Sequence, residues 1–270
     1  MAVNYIYLLP IIIFVWFPAT FVVTYVMAVL REDVNPLFPY ISDTGTFSPE
    51  SCIFGQMLNM GAILMAIFVY IRHRQVREVC DTHVLGEVVK KRDRISTWFG
   101  YTAAFGVTIV GNFQETNILL VHMFGAFLAF GLGTVWECLQ TWVSFQLCPP
   151  VGTRSTNMIR LTLSVICTVC FTISFIFAGL AILKFKGKDI TKWSRDDGGY
   201  EFHVTSTVTE WIVVFCTMGF ILSFSSELRT ITFDEPSIRI TDNKDLNNGE
   251  NNIVASESTH SSRVDIPERY

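Results

Sequence analysis

Charge is absent from the start of this chain: no Asp, Glu, Lys, Arg or His occurs between Ala2 and Leu30. A cleaved secretory signal opens on basic residues and carries a shorter apolar core, so Tyr5–Leu30 is expected to be a membrane helix, bent at Pro18. No Asn-x-Ser/Thr sequon occurs, which removes glycosylation as a marker of sidedness. Also missing are the Gly-x-Ser-x-Gly elbow, the phosphate-binding loop and the dinucleotide fingerprint. Histidine is scarce, at five. Only His122 and His203 fall near one face, with His73, His83 and His260 on the other, so three histidines cannot meet in a zinc site of the lipid-hydrolase kind. Two histidines with Asp43 or Glu210 remain arithmetically open, but no local ligand spacing supports them. The seven cysteines lie mostly in apolar runs without metal-ligand spacing. Cys167-x-x-Cys170 sits between Leu-Ser-Val-Ile and Phe-Thr-Ile-Ser and reads as packing. Inverted repeats and helices broken at mid-membrane are lacking too, which disfavours a transporter. These absences argue against an enzyme, a metal and a cofactor. A net charge of −4 gives no indication of a nucleic-acid partner.

Apolar residues are what the chain has in excess. Half of the 270 residues are hydrophobic and 23 are Phe, a composition typical of polytopic membrane proteins and rare in soluble ones. The expected fold is all-α, a transmembrane bundle of six helices over residues 5–30, 49–70, 95–111, from after Asn117 to 145, 158–183 and 208–228. Residues 1–230 form this domain. Residues 231–270, rich in Asn, Ser, Glu and Asp, read as a disordered cytosolic tail. Basic residues set the orientation. Arg72, Arg74, Arg77, Lys90, Lys91, Arg92 and Arg94 follow helix two, Arg154 and Arg160 follow helix four, and Arg229 follows helix six. That side carries ten, against six on the other (Arg31 and five between Lys184 and Arg195). Both termini are therefore expected in the cytosol. Cys80 and Cys148 fall on that side as S-acylation candidates, with an idle thiol as the simpler reading. Lys90, Lys91, Arg92 and Arg94 are the candidate contacts to anionic lipid, and a solvated topogenic loop explains them equally well.

The most structured-looking connection is residues 39–59, an ordered lumenal loop after helix one. Pro39 and Ser42-Asp43-Thr44-Gly45 read as a turn, with Gly45 offering a left-handed position. Ser48, Pro49 and Glu50 read as the cap and first turn of helix two. Polar residues at membrane depth are functional candidates by default. On helix four, His122, Gly125, Ala129, Gly133, Trp136, Glu137 and Gln140 form one stripe, whose small members allow close helix approach; Glu137 and Gln140 are expected to snorkel at the cytosolic end. Gln56 and Asn59, one turn apart on helix two, are placed to bond His122 or the Asn112–Gln114 turn. Thr207-x-x-Glu210 reads as a capping box. Asp43, Asn59, Asn112, Gln114, His122 and Glu210 form the candidate lumenal polar cluster, structural or ligand-binding. Tyr40, Asp43 and Gly45 face its side, so the loop is expected to dock on the bundle as a cap.

Pro39-Tyr-Ile-Ser-Asp-Thr-Gly-Thr, Pro49-Glu50, Cys52-x-Phe54-Gly55 and Leu58-Asn59 resemble the signature of the damage-regulated autophagy modulator (DRAM) family. Asn112-Phe113-Gln114, His122, Gly125-Ala126, Gln140 and Glu210-Trp211 are similar to its middle and end. The resemblance spans residues 30 to 230. It implies a six-span, non-enzymatic protein of lysosomal and endosomal membranes that promotes autophagy and influences cell death. Its partners would be membrane lipids and membrane or cytosolic proteins. It also implies kinship with plasma-membrane relatives that regulate phosphatidylinositol 4-kinase and with proteins of GPI-anchor lipid remodelling. The plasma membrane is thus the alternative site, since the dileucine-like signal of some lysosomal members is missing here. A lipid- or ion-handling role for the lumenal cluster is the further alternative.

Overall fold

The computed structural model describes residues 5–232; most of the tail, residues 233–270 with His260 among them, lies outside the described residues. Six long helices account for most of the rest, and no strand occurs among the described residues. They are α1 (Leu8–Leu30), α2 (Glu50–Thr82), α3 (Glu87–Asn112), α4 (Leu119–Leu147), α5 (Arg154–Lys184) and α6 (Tyr200–Leu222), followed by a single turn, α7 (Ser225–Leu228). Five of the six are long and apolar enough to cross a membrane; α3 falls short of that, because its inward face is made of small and polar residues. The 23 residues of α1 span about 35 Å at 1.5 Å per residue, enough for a hydrocarbon core of about 30 Å.

The helices are longer than hydrophobicity alone indicates. The basic stretch 72–94 is not a loop: α2 continues to Thr82, α3 begins at Glu87, and only residues 83–86 connect them. Helical continuity follows from what the extension buries. Arg72, Gln75, Val76 and Cys80 turn inward, and Val76 and Cys80 meet Val89, Val143 and Leu147 in an apolar cluster beyond the hydrophobic spans. Cys80 is therefore shielded within the bundle.

The stripe on α4 faces α3 at close range. A Cβ on Gly106 would stand 2.5 Å from the Ala129 backbone nitrogen and 2.7 Å from the Gly125 carbonyl oxygen. A single π-helical turn at Phe127–Leu132 interrupts α4 beside this contact, the usual way a helix absorbs one extra residue. Glu137 does not snorkel. It and Gln140 are fully buried, because the last turns of α4 stay enclosed by α3 and α5.

Connections 31–49, 113–118 and 185–199 gather at one end of the bundle, the cap end. At the other, Tyr7 and α7 meet: Ser225 donates to the Tyr7 carbonyl (2.9 Å) and the Arg229 guanidinium lies over the Tyr7 ring. The two ends of the described chain thus share one face.

Candidate functional site

The cap is held from four sides. Thr44 Oγ1 meets Thr24 Oγ1 of α1 at 3.0 Å. On the α2 side, a Cβ on Gly45 would collide with the Phe54 ring. Trp211 of α6 donates to the Pro39 carbonyl at 3.1 Å, and the Ile41 amide donates to Glu210 Oε2 at 3.0 Å. Asn35 bonds Thr191 and Trp193 of the 185–199 connection. Gly45 is needed for this close approach, not for a left-handed backbone: it lies in a 3-10 turn, Asp43–Gly45, with no positive φ. Ser48 makes no capping bond; Pro49 occupies the N-cap of α2, and Glu50 pairs with Arg31 at 2.9 Å. The Thr207–Glu210 capping box is also absent. α6 begins at Tyr200, seven residues earlier, because its first turns are covered: His203 stacks on Trp193 at 4.5 Å, Tyr40 meets His203 edge-on at 5.0 Å, and Ser206 bonds Ser174 of α5. Glu210 is thereby free to receive the cap.

Beneath the cap is a cavity of ≈ 120 Å³, several times the 10–15 Å³ or so that one water occupies. Its end under the cap carries Tyr40, Ser42, Asp43, Glu115, His122, Trp193 and Glu210; below them the walls are apolar side chains of α4 and α5. Asp43, His122 and Glu210 of the sequence-derived cluster therefore converge. The others do not. Asn59 and Asn112 exchange two side-chain hydrogen bonds (3.2 and 2.9 Å) on an exposed edge, and Gln114 accepts from Asn117 within its own turn. His122 Nδ1 lies 2.7 Å from the Phe113 carbonyl and closes the 113–118 turn. Glu115 joins the site unannounced; its neighbours Gln114 and Thr116 gave no periodic signal.

Asp43 and Glu115 define the electrostatics. Asp43 is 2 % exposed and Glu115 8 %. Asp43 Oδ2 accepts from the Tyr40 amide (2.9 Å) and Glu115 Oε2 from Ser42 Oγ (3.3 Å), while Asp43 Oδ1 and Glu115 Oε1 receive no donor. The two carboxyls are within hydrogen-bonding reach of each other, a contact that requires one of them to be protonated. Burial first, then the charge of Glu115, holds the Asp43 carboxyl well above the usual carboxylate range. Burial likewise pushes the Tyr40 hydroxyl up, so it stays neutral. Among the described residues no group of three or more His, Cys, Asp or Glu side chains is arranged to hold a metal ion.

A second polar centre lies toward the opposite end, and sequence reasoning missed it. Arg72 and Arg160, counted there as loop charges, are the largest fully buried side chains among the described residues. Glu227 bridges them, at 3.2 Å from Arg72 Nη1 and 2.8 Å from Arg160 Nη1. Arg72 also donates to Gln75, Gln140 and Ser144, and Arg160 to Ser144, Asn157 and Ser223. Gln140 extends the network to Asp93, which pairs with His73. Both guanidiniums lie over the Phe224 ring, at 4.7 and 3.6 Å. One signal was available: Arg160 stands between Ile159 and Leu161 and is the one charge between Arg154 and Lys184. Of the proposed lipid contacts, Lys90 is committed to Asp81 and Glu87, while Lys91, Arg92 and Arg94 are exposed and Arg92 stacks on Trp142.

Residues 5–231 match the family model described as the Frag1/DRAM/Sfk1/Cwh43P N-terminal domain. DNA damage-regulated autophagy modulator protein 2 of Rattus norvegicus is 33% identical over 227 residues, 83% of this chain and 84% of that protein. DNA damage-regulated autophagy modulator protein 1 of Homo sapiens is 36% identical over 225 residues, 83% of this chain and 91% of that protein. Modulator of macroautophagy TMEM150B-B of Xenopus laevis is 37% identical over 208 residues, 76% and 78% of the two chains. No solved structure matches. With its long apolar helices and a match running through all of them, the chain is a multi-pass membrane protein.

Proposed function

This chain belongs to the Frag1/DRAM/Sfk1/Cwh43P family, and from that premise we propose that it is a non-enzymatic regulator of autophagy in lysosomal and endosomal membranes, with an influence on cell death. The observation that carries the reading is the extent of the likeness: relatives named as autophagy modulators align with 83% of the chain, and the family model runs over residues 5–231, which hold the cap, the bundle and both polar centres. The proposed orientation places Tyr7, α7 and the basic end in the cytosol and the cap in the lumen. An acidic lumen suits the cap, because protonation of the Asp43–Glu115 pair removes a buried like-charge repulsion. The bundle then acts by presenting surfaces to lipids and to membrane or cytosolic proteins, without a reaction of its own.

The test is localisation of the full chain with its C-terminus untagged, together with autophagic flux after depletion. Endolysosomal residence and altered flux are expected. Residence only at the plasma membrane with unchanged flux refutes the proposal.

A second reading, a plasma-membrane organiser of phosphoinositide kinase recruitment, is favoured by the three exposed basic residues Lys91, Arg92 and Arg94 at the start of α3. Each contributes about 1 kcal/mol of attraction to an anionic leaflet. Neutralising these three with Lys90 lowers kinase recruitment and surface phosphoinositide on this reading; unchanged levels of both dismiss it.

A further inference from the structure

We propose that the cavity beneath the cap is a binding site for a long-chain primary amine, a membrane amphiphile whose protonated amino headgroup is held by Asp43 and Glu115 and whose alkyl chain runs between α4 and α5. The inference rests on the cavity and not on the family reading, so either can fail alone.

The headgroup end is short of positive charge and of donors. Apart from a proton shared between the two carboxyls, Asp43 Oδ1 and Glu115 Oε1 are buried with no donor from the protein. The charged side chains acting on Asp43 are Glu115 and Glu210, both acidic. Tyr40 lines the same end of the cavity, and an aromatic ring attracts a cation. A metal ion does not fit, since no three ligating side chains converge among the described residues. A quaternary ammonium would supply charge but no hydrogen, leaving both oxygens unpaired; a primary ammonium has three donors. Burial against two carboxylates makes each such bond charge-assisted and the stronger kind.

The chain end is apolar and open to the side. Leu119, Met123, Ala126 and Phe130 of α4 recur in steps of three and four and face Phe171, Phe175, Ala178 and Ile182 of α5. From Ile182 to Phe171 the wall runs about 16 Å at 1.5 Å per residue, roughly half the hydrocarbon thickness. α5 is the least enclosed of the apolar helices, with 17% of its apolar window buried against 33 to 39% in the others. Phe175 lines the cavity and is also exposed on the flank of the bundle. An amphiphile can therefore enter from the bilayer, chain first, with its headgroup at the interfacial level. Phe127 packs against the rings of Phe171 and Phe175.

One shared proton satisfies the same pair of oxygens, so proton and amine compete for a single charge. The other titratable groups facing the pair are Tyr40 of the cap, His122 of α4, and His203 and Glu210 of α6; the polar residue that α5 adds to the lining is Ser174.

The experiment uses purified full-length protein in phosphatidylcholine nanodiscs and a photoactivatable long-chain primary amine, beside its N-acetylated and trimethylammonium analogues. The amine is expected to label the facing stripes of α4 and α5, with either analogue at least about tenfold weaker, the scale of one charge-assisted hydrogen bond. Labelling falls as the pH is lowered, because protons compete with the amine for the carboxyls. Asp43→Asn with Glu115→Gln reduces it by about tenfold or more. Ala178→Phe, which fills the cleft and leaves both carboxyls, does the same and decides the matter if the double variant fails to fold. Equal labelling by the acetylated analogue, or labelling that survives Ala178→Phe, overturns the proposal.

Discussion

Replacing Glu227 by glutamine tests whether the buried arginine centre holds the bundle together. In the native protein one carboxylate bridges two guanidiniums, at 3.2 and 2.8 Å, and both arginines are essentially sealed from solvent. The amide is nearly isosteric with the carboxylate, yet it would leave two cations facing each other in a poorly solvated space. Asp93 also attracts Arg72, but it makes no ion pair with either guanidinium, and its hydrogen bonds go to Gln140 and His73, so it replaces the lost charge only in part. Removing one partner of a buried ion pair costs about 3–5 kcal/mol, since the remaining charge has no compensation. On the scale of domains of 150–250 residues, that corresponds to a loss of roughly 6–20 °C in Tm. Thermal unfolding of the purified protein in mild detergent reads this directly. A second variant separates charge from shape. Adding Arg160→Met to Glu227→Gln removes one orphaned cation, so the double variant should recover part of the loss. Asp81→Asn, which breaks only the solvent-exposed pair with Lys90, should leave Tm unchanged. A native Tm for Glu227→Gln, or a double variant worse than the single, refutes Glu227 as the clamp between the two arginines.

Gly106→Val should disrupt the α3–α4 contact, because its Cβ would collide with the Ala129 and Gly125 backbones, which cannot rotate away; overpacking of this kind costs about 1–3 kcal/mol, read as a lower Tm and reduced folded yield. Gly152→Ala should be harmful for two reasons, a φ of +77° and a Cβ 2.5 Å from Glu227 Oε1, and the same assay reads it. The cap should be firmer in acid. The folded Asp43 carboxyl binds its proton more tightly than the unfolded one, so stability is greatest below the ordinary carboxylate range. It declines as pH rises from there through the raised folded value, and is flat above. Hydrogen exchange of residues 39–47 across that range should show the decline, and Asp43→Asn should abolish it. His122→Ala should loosen the 113–118 turn by about 1 kcal/mol, seen as faster exchange there with the rest of the bundle unchanged.

The order of the six long helices was legible in the sequence because each contains a long uncharged run and such runs are local, although only five are apolar enough to cross a membrane. The cap was legible for a similar reason: Pro39 to Glu50 has turn and helix-start chemistry of its own, and Asp43 and Glu210 stood out as polar residues near apolar helices. Helix ends were not, since hydrophobicity stops where lipid stops, whereas α2 runs on to Thr82 to bury Arg72, Val76 and Cys80 against other helices. Nor could spacing reveal Glu115 as the partner of Asp43, 72 positions away by their numbers, or the convergence of Arg72, Arg160 and Glu227 from α2, α5 and α7. An arginine next to an apolar run looks the same whether it anchors at an interface or turns inward. Only the packing of three helices supplies the carboxylate that makes burial tolerable, and only the folding of the cap over α6 turns scattered acids into the acidic end of an apolar cleft.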